Sequence, residues 1–182
     1  MNKETNNSIN YDELDICIPT VSVVVERIVN DKKEILIQTR HKPLIDPKYT
    51  GSIEIPSGLI RKYESALDSA MREVKEETGL GIQIDNLVIH KKTAVSDGRD
   101  ILIDYVPFCI TQQIKGARSY INIGFVFKLP KDTNELPTEN INETKNPRWI
   151  NIQELGVLLT EKTETIFPIN IPMLTKYYEK YK

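Results

Sequence analysis

The sequence predicts an α/β or α+β domain: a mixed sheet covered by a few helices. Three observations carry that prediction. Runs rich in β-branched residues recur from Ile16 to Leu129, one long amphipathic helix pattern lies between Ser65 and Gly79, and a second closes the chain. With 182 residues, the chain has enough length for one substantial core and too little for two comfortable ones. Residues 16–182 are therefore read as one domain, and residues 1–15, polar and rich in Asn, as a flexible tail.

In chain order, Ile16–Val29 reads as a strand, residues 30–33 as a turn and Glu34–Arg40 as the second strand of a hairpin. A short β-like run ends at Pro56 and is followed by a Ser57-Gly58 turn. The helix begins with Ser65 and Asp68 at N-cap spacing and ends at Gly79, a residue suited to the left-handed position past a helix. Leu67, Ala70, Met71, Val74 and Thr78 form its apolar stripe. Beyond it, Ile82–Lys92 alternates as a strand, residues 93–100 read as a polar loop, and Ile101–Ile114 reads as a long strand with Pro107 marking an edge or bulge. Ser119–Leu129 is a further strand, and residues 130–146 form a long loop without apolar periodicity. Order resumes at Trp149-Ile150, followed by a helix over Ile152–Leu159 and a final helix opening at Pro172.

The central helix breaks electrostatic rules. Glu73, Glu76 and Glu77 sit at i, i+3 and i+4, where like charges destabilise a helix by roughly 0.2–0.5 kcal/mol per pair, and they oppose the macrodipole. A divalent cation would relieve that repulsion. The stretch Gly58, five residues, Glu64, seven residues, Arg72-Glu73-Val74, Lys75, Glu76-Glu77, Thr78-Gly79-Leu80 resembles the Nudix box at every fixed position across its 23 residues. Gln38-Thr39-Arg40 and Glu54-Ile55-Pro56-Ser57-Gly58 resemble segments of ADP-ribose pyrophosphatases in that family, and Glu143-Thr144 with Arg148-Trp149 resembles the run before the fold's next helix.

The resemblance implies the Nudix fold, a mixed β-sheet sandwiched between α-helices. It also implies a Mg²⁺-dependent (or Mn²⁺-dependent) pyrophosphohydrolase. By the same resemblance Glu73, Glu76, Glu77 and the Ser57 carbonyl would hold the metal, Arg72 would orient Glu73, and Glu64 would support the cluster. Arg40 and Glu54 are the implied substrate-binding residues. The general base is either a box glutamate or a loop acid, for which Glu135, Glu139 and Glu143 are candidates. The expected substrate is a nucleoside diphosphate linked to another moiety, of the ADP-ribose or nucleotide-sugar type. Relatives of that type usually carry a proline some 15 residues past the box, where Ala94-Val95-Ser96-Asp97 has none, so a modified nucleoside triphosphate or a dinucleoside polyphosphate stays open.

Two other classes are weaker. A non-catalytic nucleotide-sensing Nudix domain typically has a degraded box, and this one is intact. An isopentenyl diphosphate isomerase needs a catalytic cysteine and a histidine-rich metal site, whereas Cys109 lies in an apolar strand and only His41 and His90 exist. The two cysteines, Cys17 and Cys109, read as packed thiols rather than a disulfide. A net charge of −2 gives no attraction to nucleic acid or anionic membrane, and no apolar run approaches a membrane span, so the expected setting is cytoplasmic. Many relatives are dimers, and the first strand is the segment expected to serve a homodimer.

Overall fold

The computed structural model describes residues 16–88, 92–96, 98, 101–116, 118–140 and 142–182; the tail assigned to residues 1–15 lies outside them. β1 (Ile18–Val29) forms the spine of a seven-stranded mixed sheet. It pairs antiparallel with β2 (Lys32–Arg40) through a two-residue turn in which Asn30 and Asp31 both have positive φ, the type I′ geometry that matches strand twist. On its other edge it runs parallel to β8 (Tyr120–Lys128), in register from Ile18 opposite Tyr120 to Glu26 opposite Lys128. β7 (Cys109–Gln112) extends the sheet beyond β8, and β9 (Thr144–Asn151) pairs with β2.

The arrangement of β1 and β2 positions the site. They pair only from Glu26 to Val29. Farther along, β2 takes β3 (Ile53–Glu54) at Gln38 and Thr39, while β1 takes β4 (Ser57–Leu59) at Thr20–Ser22. The polypeptide from Ile53 to Leu59 thus passes from one strand to the other and opens the sheet there.

Alternation along β1 divides the core into two layers. Val21, Val23 and Val25 face α1 (Ala66–Thr78), packing with Leu67, Ala70, Val74, Phe125 and Phe127. Val24, with Ile35, Ile37 and Val126, faces α2 (Ile152–Glu161) and α3 (Ile171–Tyr181), which contribute Leu155, Met173, Leu174 and Tyr177. Helices therefore cover both faces of a mixed sheet, as expected. The second layer also buries Glu26, 3% exposed, which accepts from Tyr177 Oη at 2.6 Å and faces Lys33 Nζ at 3.5 Å.

Several sequence expectations are corrected. Ser57-Gly58 is strand β4 rather than a turn, because β1 supplies its ladder partners. Residues 82–88 are not a strand: Gln83 and Asn86 cap a 3-10 turn over Ile84–Asn86, and Ile82 and Leu87 reach the core from either side of it. Residues 93–96 belong to strand β5 (Lys92–Ser96), whose hydrogen bonds come from β6 (Ile101–Tyr105) in a separate two-stranded sheet. The long strand expected over 101–114 is two strands in different sheets, β6 and β7, separated at Pro107, which cannot donate to a ladder. β9 begins at Thr144, five residues before the expected restart, because β2 pairs with it. Finally, β1 pairs within the chain along both edges, with β2 and β4 on one side and β8 on the other.

Tyr177→Phe should lower stability by about 1–3 kcal/mol, since it strips a donor from a buried carboxylate. Chemical denaturation checks this, and an unchanged midpoint would mean Lys33 alone satisfies Glu26.

Candidate active site

α1 is set by local sequence. Ser65 Oγ accepts from Asp68 N at 3.0 Å, and Gly79 adopts φ +72° with its N–H on the Lys75 carbonyl. Its stripe turns Leu67, Ala70 and Val74 inward, and the same rotation carries Glu73 and Glu77 beneath the open region of the sheet. Glu77 is 1% exposed. Glu76, one residue earlier, is exposed.

Arg72 joins the acidic residues. Its Nε and Nη2 bind Glu64 at 2.7 and 3.0 Å, Nη1 binds Glu76 at 3.0 Å and also Glu73, and Nη2 reaches the Leu59 carbonyl at 3.0 Å. One planar guanidinium thus fixes the loop before the helix and two helix carboxylates together. The pairing holds the Glu64 carboxyl below its usual range, chiefly through the hydrogen bond from Arg72. Gly58 leaves room for that carboxylate: a Cβ at this position would fall 2.1 Å from the Glu73 carboxyl carbon and displace it from its place against Arg72.

A second group lies at the strand junction. Glu77 Oε2 accepts from Gln38 Nε2 at 2.7 Å and from Ser57 N at 3.1 Å. Glu54, fully buried, accepts from Arg40 Nη1 at 3.1 Å. Glu77 Oε1, Glu54 Oε1 and Gln38 Oε1 are all buried without a hydrogen-bond partner. Burial pushes the Glu54 carboxyl up to about 7, against the pull of Arg40. Burial, reinforced by the charge of Glu54, raises Glu77 well above the usual carboxylate range. Glu73 is also raised, mainly by burial and against Arg72.

Among the described residues, no three His, Cys, Asp or Glu side chains converge as a ready-made metal cage. The donor chemistry nevertheless fits a hard divalent cation such as Mg²⁺ or Mn²⁺: carboxylate oxygens, two of them buried and partnerless. Glu73 and Glu76 are turned toward Arg72 instead.

Arg40, expected at the substrate, is otherwise occupied. Besides Glu54 it binds Asp46 through Nε at 3.2 Å and Nη2 at 2.9 Å, and its guanidinium stacks 4.3 Å from the Phe167 ring centroid. Of the loop acids, Glu143 pairs with Lys42 at 2.8 Å, Glu139 accepts from Asn146 N at 2.8 Å, and Glu135 is exposed. The loop itself docks on the end of α1: Asn140 Nδ2 donates to the Glu76 carbonyl at 3.1 Å, Thr144 Oγ1 to Glu77 O at 2.9 Å and Thr138 N to Thr78 O at 2.8 Å. It thereby satisfies carbonyls the helix end leaves open.

Gln38 and Lys42 are the residues that sequence reasoning did not place in the site. The spacing of two that links Gln38 to Arg40 was the available signal for Gln38, since alternate strand residues share a face, whereas Lys42 lies two residues past the end of β2.

The sequence model of the NUDIX domain family matches residues 18–170. No curated protein matches the sequence. Among solved structures, the NUDIX domain of Shewanella oneidensis NrtR, complexed with ADP ribose, superposes with a TM-score of 0.62 at 13% identity, covering 95% of each chain. The MutT protein of Methanosarcina mazei Go1 gives 0.58 at 17% identity over 93% of this chain and 99% of that one. An Ap4A hydrolase of C. elegans gives 0.57 at 15% identity over 92% and 100%. At these identities the likeness is one of fold.

Arg40→Ala should cost about 3 kcal/mol, because it leaves a buried carboxylate without its cation. Adding Glu54→Gln should recover part of that loss in denaturant melts. Full stability of the single variant would show that Glu54 does not depend on Arg40.

Proposed function

The chain belongs to the NUDIX domain family, and from that premise we propose that it hydrolyses the phosphoanhydride of a nucleoside diphosphate linked to another moiety, with ADP-ribose or a nucleotide sugar as the preferred type. The observation that carries this is the pair of buried carboxylates, Glu54 and Glu77, each with a partnerless oxygen beside the Arg72 cluster. Burying two acids together is costly for a fold and is explained by a bound cation.

In the reaction, water attacks one phosphorus, the bridging P–O bond breaks, and each product leaves with one phosphate. Mg²⁺ or Mn²⁺, when bound, would supply Lewis-acid neutralisation of the diphosphate and polarise the water. Glu77, Glu73 and Glu76 would hold it, with Glu54 alongside and the Ser57 segment fixing Glu77 through its N–H. Arg72 keeps Glu73 and Glu76 oriented, and Glu64 holds Arg72 from the other side. The water's proton passes to a carboxylate. Glu73 and Glu77 lie within the site, whereas Glu143 meets it only through Lys42. Substrate preference draws support from the ADP ribose in the NrtR complex and from the Glu54-Ile55-Pro56-Ser57-Gly58 run. The likeness to an Ap4A hydrolase favours a dinucleoside polyphosphate as the second reading.

A small soluble nucleotide suits a chain in which, among the described residues, no helix is long and apolar enough to cross a membrane. We place the reaction in the cytoplasm, with no nucleic-acid partner.

Glu77→Gln should reduce kcat by about a hundredfold or more, because it weakens a group central to the site. The chelated variant should melt no lower than wild type, since a buried charge is gone. Near-full activity toward ADP-ribose, nucleotide sugars and Ap4A alike would remove Glu77 from the reaction.

A further inference from the structure

Resting on the diphosphate reading above, the geometry points to Lys42, not Arg40, as the cation that contacts the substrate's diphosphate, held by Glu143 until substrate displaces it. Arg40 is committed elsewhere: three of its five N–H groups donate to Asp46 or Glu54, and one face of its guanidinium plane stacks on the Phe167 ring. It is better described as a positioning residue that braces Glu54 and the 41–52 loop, which it also anchors through its own backbone bonds to Ser52 and Gly51.

Lys42 differs in every respect that matters. It lies two residues beyond Arg40, with its side chain 19% exposed, and its partner Glu143 adjoins Thr144, whose Oγ1 donates to Glu77 O at 2.9 Å; its charge acts on Glu54, Glu73 and Glu77. Burial alone would lower its pKa, but the bond to Glu143 and the charge of Glu77 more than offset that, so the ammonium stays charged. Its salt-bridge partner, Glu143, is 46% exposed on the loop that docks on α1. A bridge to a half-exposed acid is worth little, and an incoming phosphate oxygen offers a stronger partner. A flexible stem with a compact charge also suits this exchange better than a fixed fork. The site's acids repel a diphosphate; Arg72 is held by Glu64, Glu73 and Glu76, Arg61 meets the exposed Glu76 at 3.5 Å, and Lys42 brings its charge to the side where Glu54 and Glu77 are buried.

Calorimetric binding of α,β-methylene ADP-ribose in Mg²⁺ tests this without turnover. Lys42→Met, which keeps the methylene stem, should weaken binding about tenfold or more, and Lys42→Arg should recover much of it. Glu143→Gln should tighten binding in wild type but not in the Lys42→Met background, because the competition it removes acts through Lys42. Equal affinity of wild type and Lys42→Met would overturn the inference, as would tightening by Glu143→Gln of the same size in both backgrounds. If wild type binds neither this analogue nor ADP, the diphosphate reading itself fails, an outcome separable from the other two.

Discussion

Burial of Glu77 beneath the gap between β2 and β4 is the constraint on which the rest of this structure depends. A carboxylate there is tolerated only because Gln38 and the Ser57 N–H each donate to one oxygen, while its other oxygen is left open. Those donors exist because β1 changes partner, from β2 at Glu26–Val29 to β4 at Thr20–Ser22. The sheet topology, the helix register and the unsatisfied oxygen are one arrangement seen at three scales.

Two guanidinium groups stabilise that arrangement from opposite sides. Arg72 gathers Glu64, Glu73 and Glu76 at the exposed flank, and Arg40 neutralises Glu54 in the interior. The long loop completes the frame by capping the carbonyls at the end of α1, so the segment between β8 and β9 is tied to the helix. Gly79 permits that approach, since a side chain there would meet Thr138 Oγ1 at 2.3 Å. Stability is sacrificed where the carboxylates meet and recovered in the two apolar layers, a distribution typical of functional sites.

What could be read from sequence follows the range of the interactions. Helix α1, its caps and the Arg72 cluster depend on residues a few positions apart, and the spacing of Ser65, Arg72, Glu73, Glu76 and Gly79 displays them directly. The position of Gln38 opposite Glu54 is a matter of strand pairing across 16 residues, and no local pattern reveals it. Lys42 follows Arg40 and His41 in the sequence, and its pairing with Glu143, 101 positions away, has no local signal. The hairpin of β5 and β6 was missed because polar residues can form a strand when a partner completes the ladder, and the region around Pro107 was misread because proline ends one ladder without showing that another begins.

If Glu54 and Glu77 are a destabilising pair kept for a cation, the stability of the fold depends on pH. Both carboxyls are raised by burial, Glu54 to about 7, so their neutral forms favour the fold. Each contribution is therefore full below the ordinary carboxylate pKa; that of Glu54 is lost as pH rises through about 7, and that of Glu77 as pH rises through its own raised pKa. Denaturant unfolding in chelator should show lower stability at pH 8 than at pH 5.5, relative to a Glu54→Gln/Glu77→Gln control, and Mg²⁺ at pH 8 should restore it. A profile matching that control, with no response to Mg²⁺ or Mn²⁺, would contradict the account.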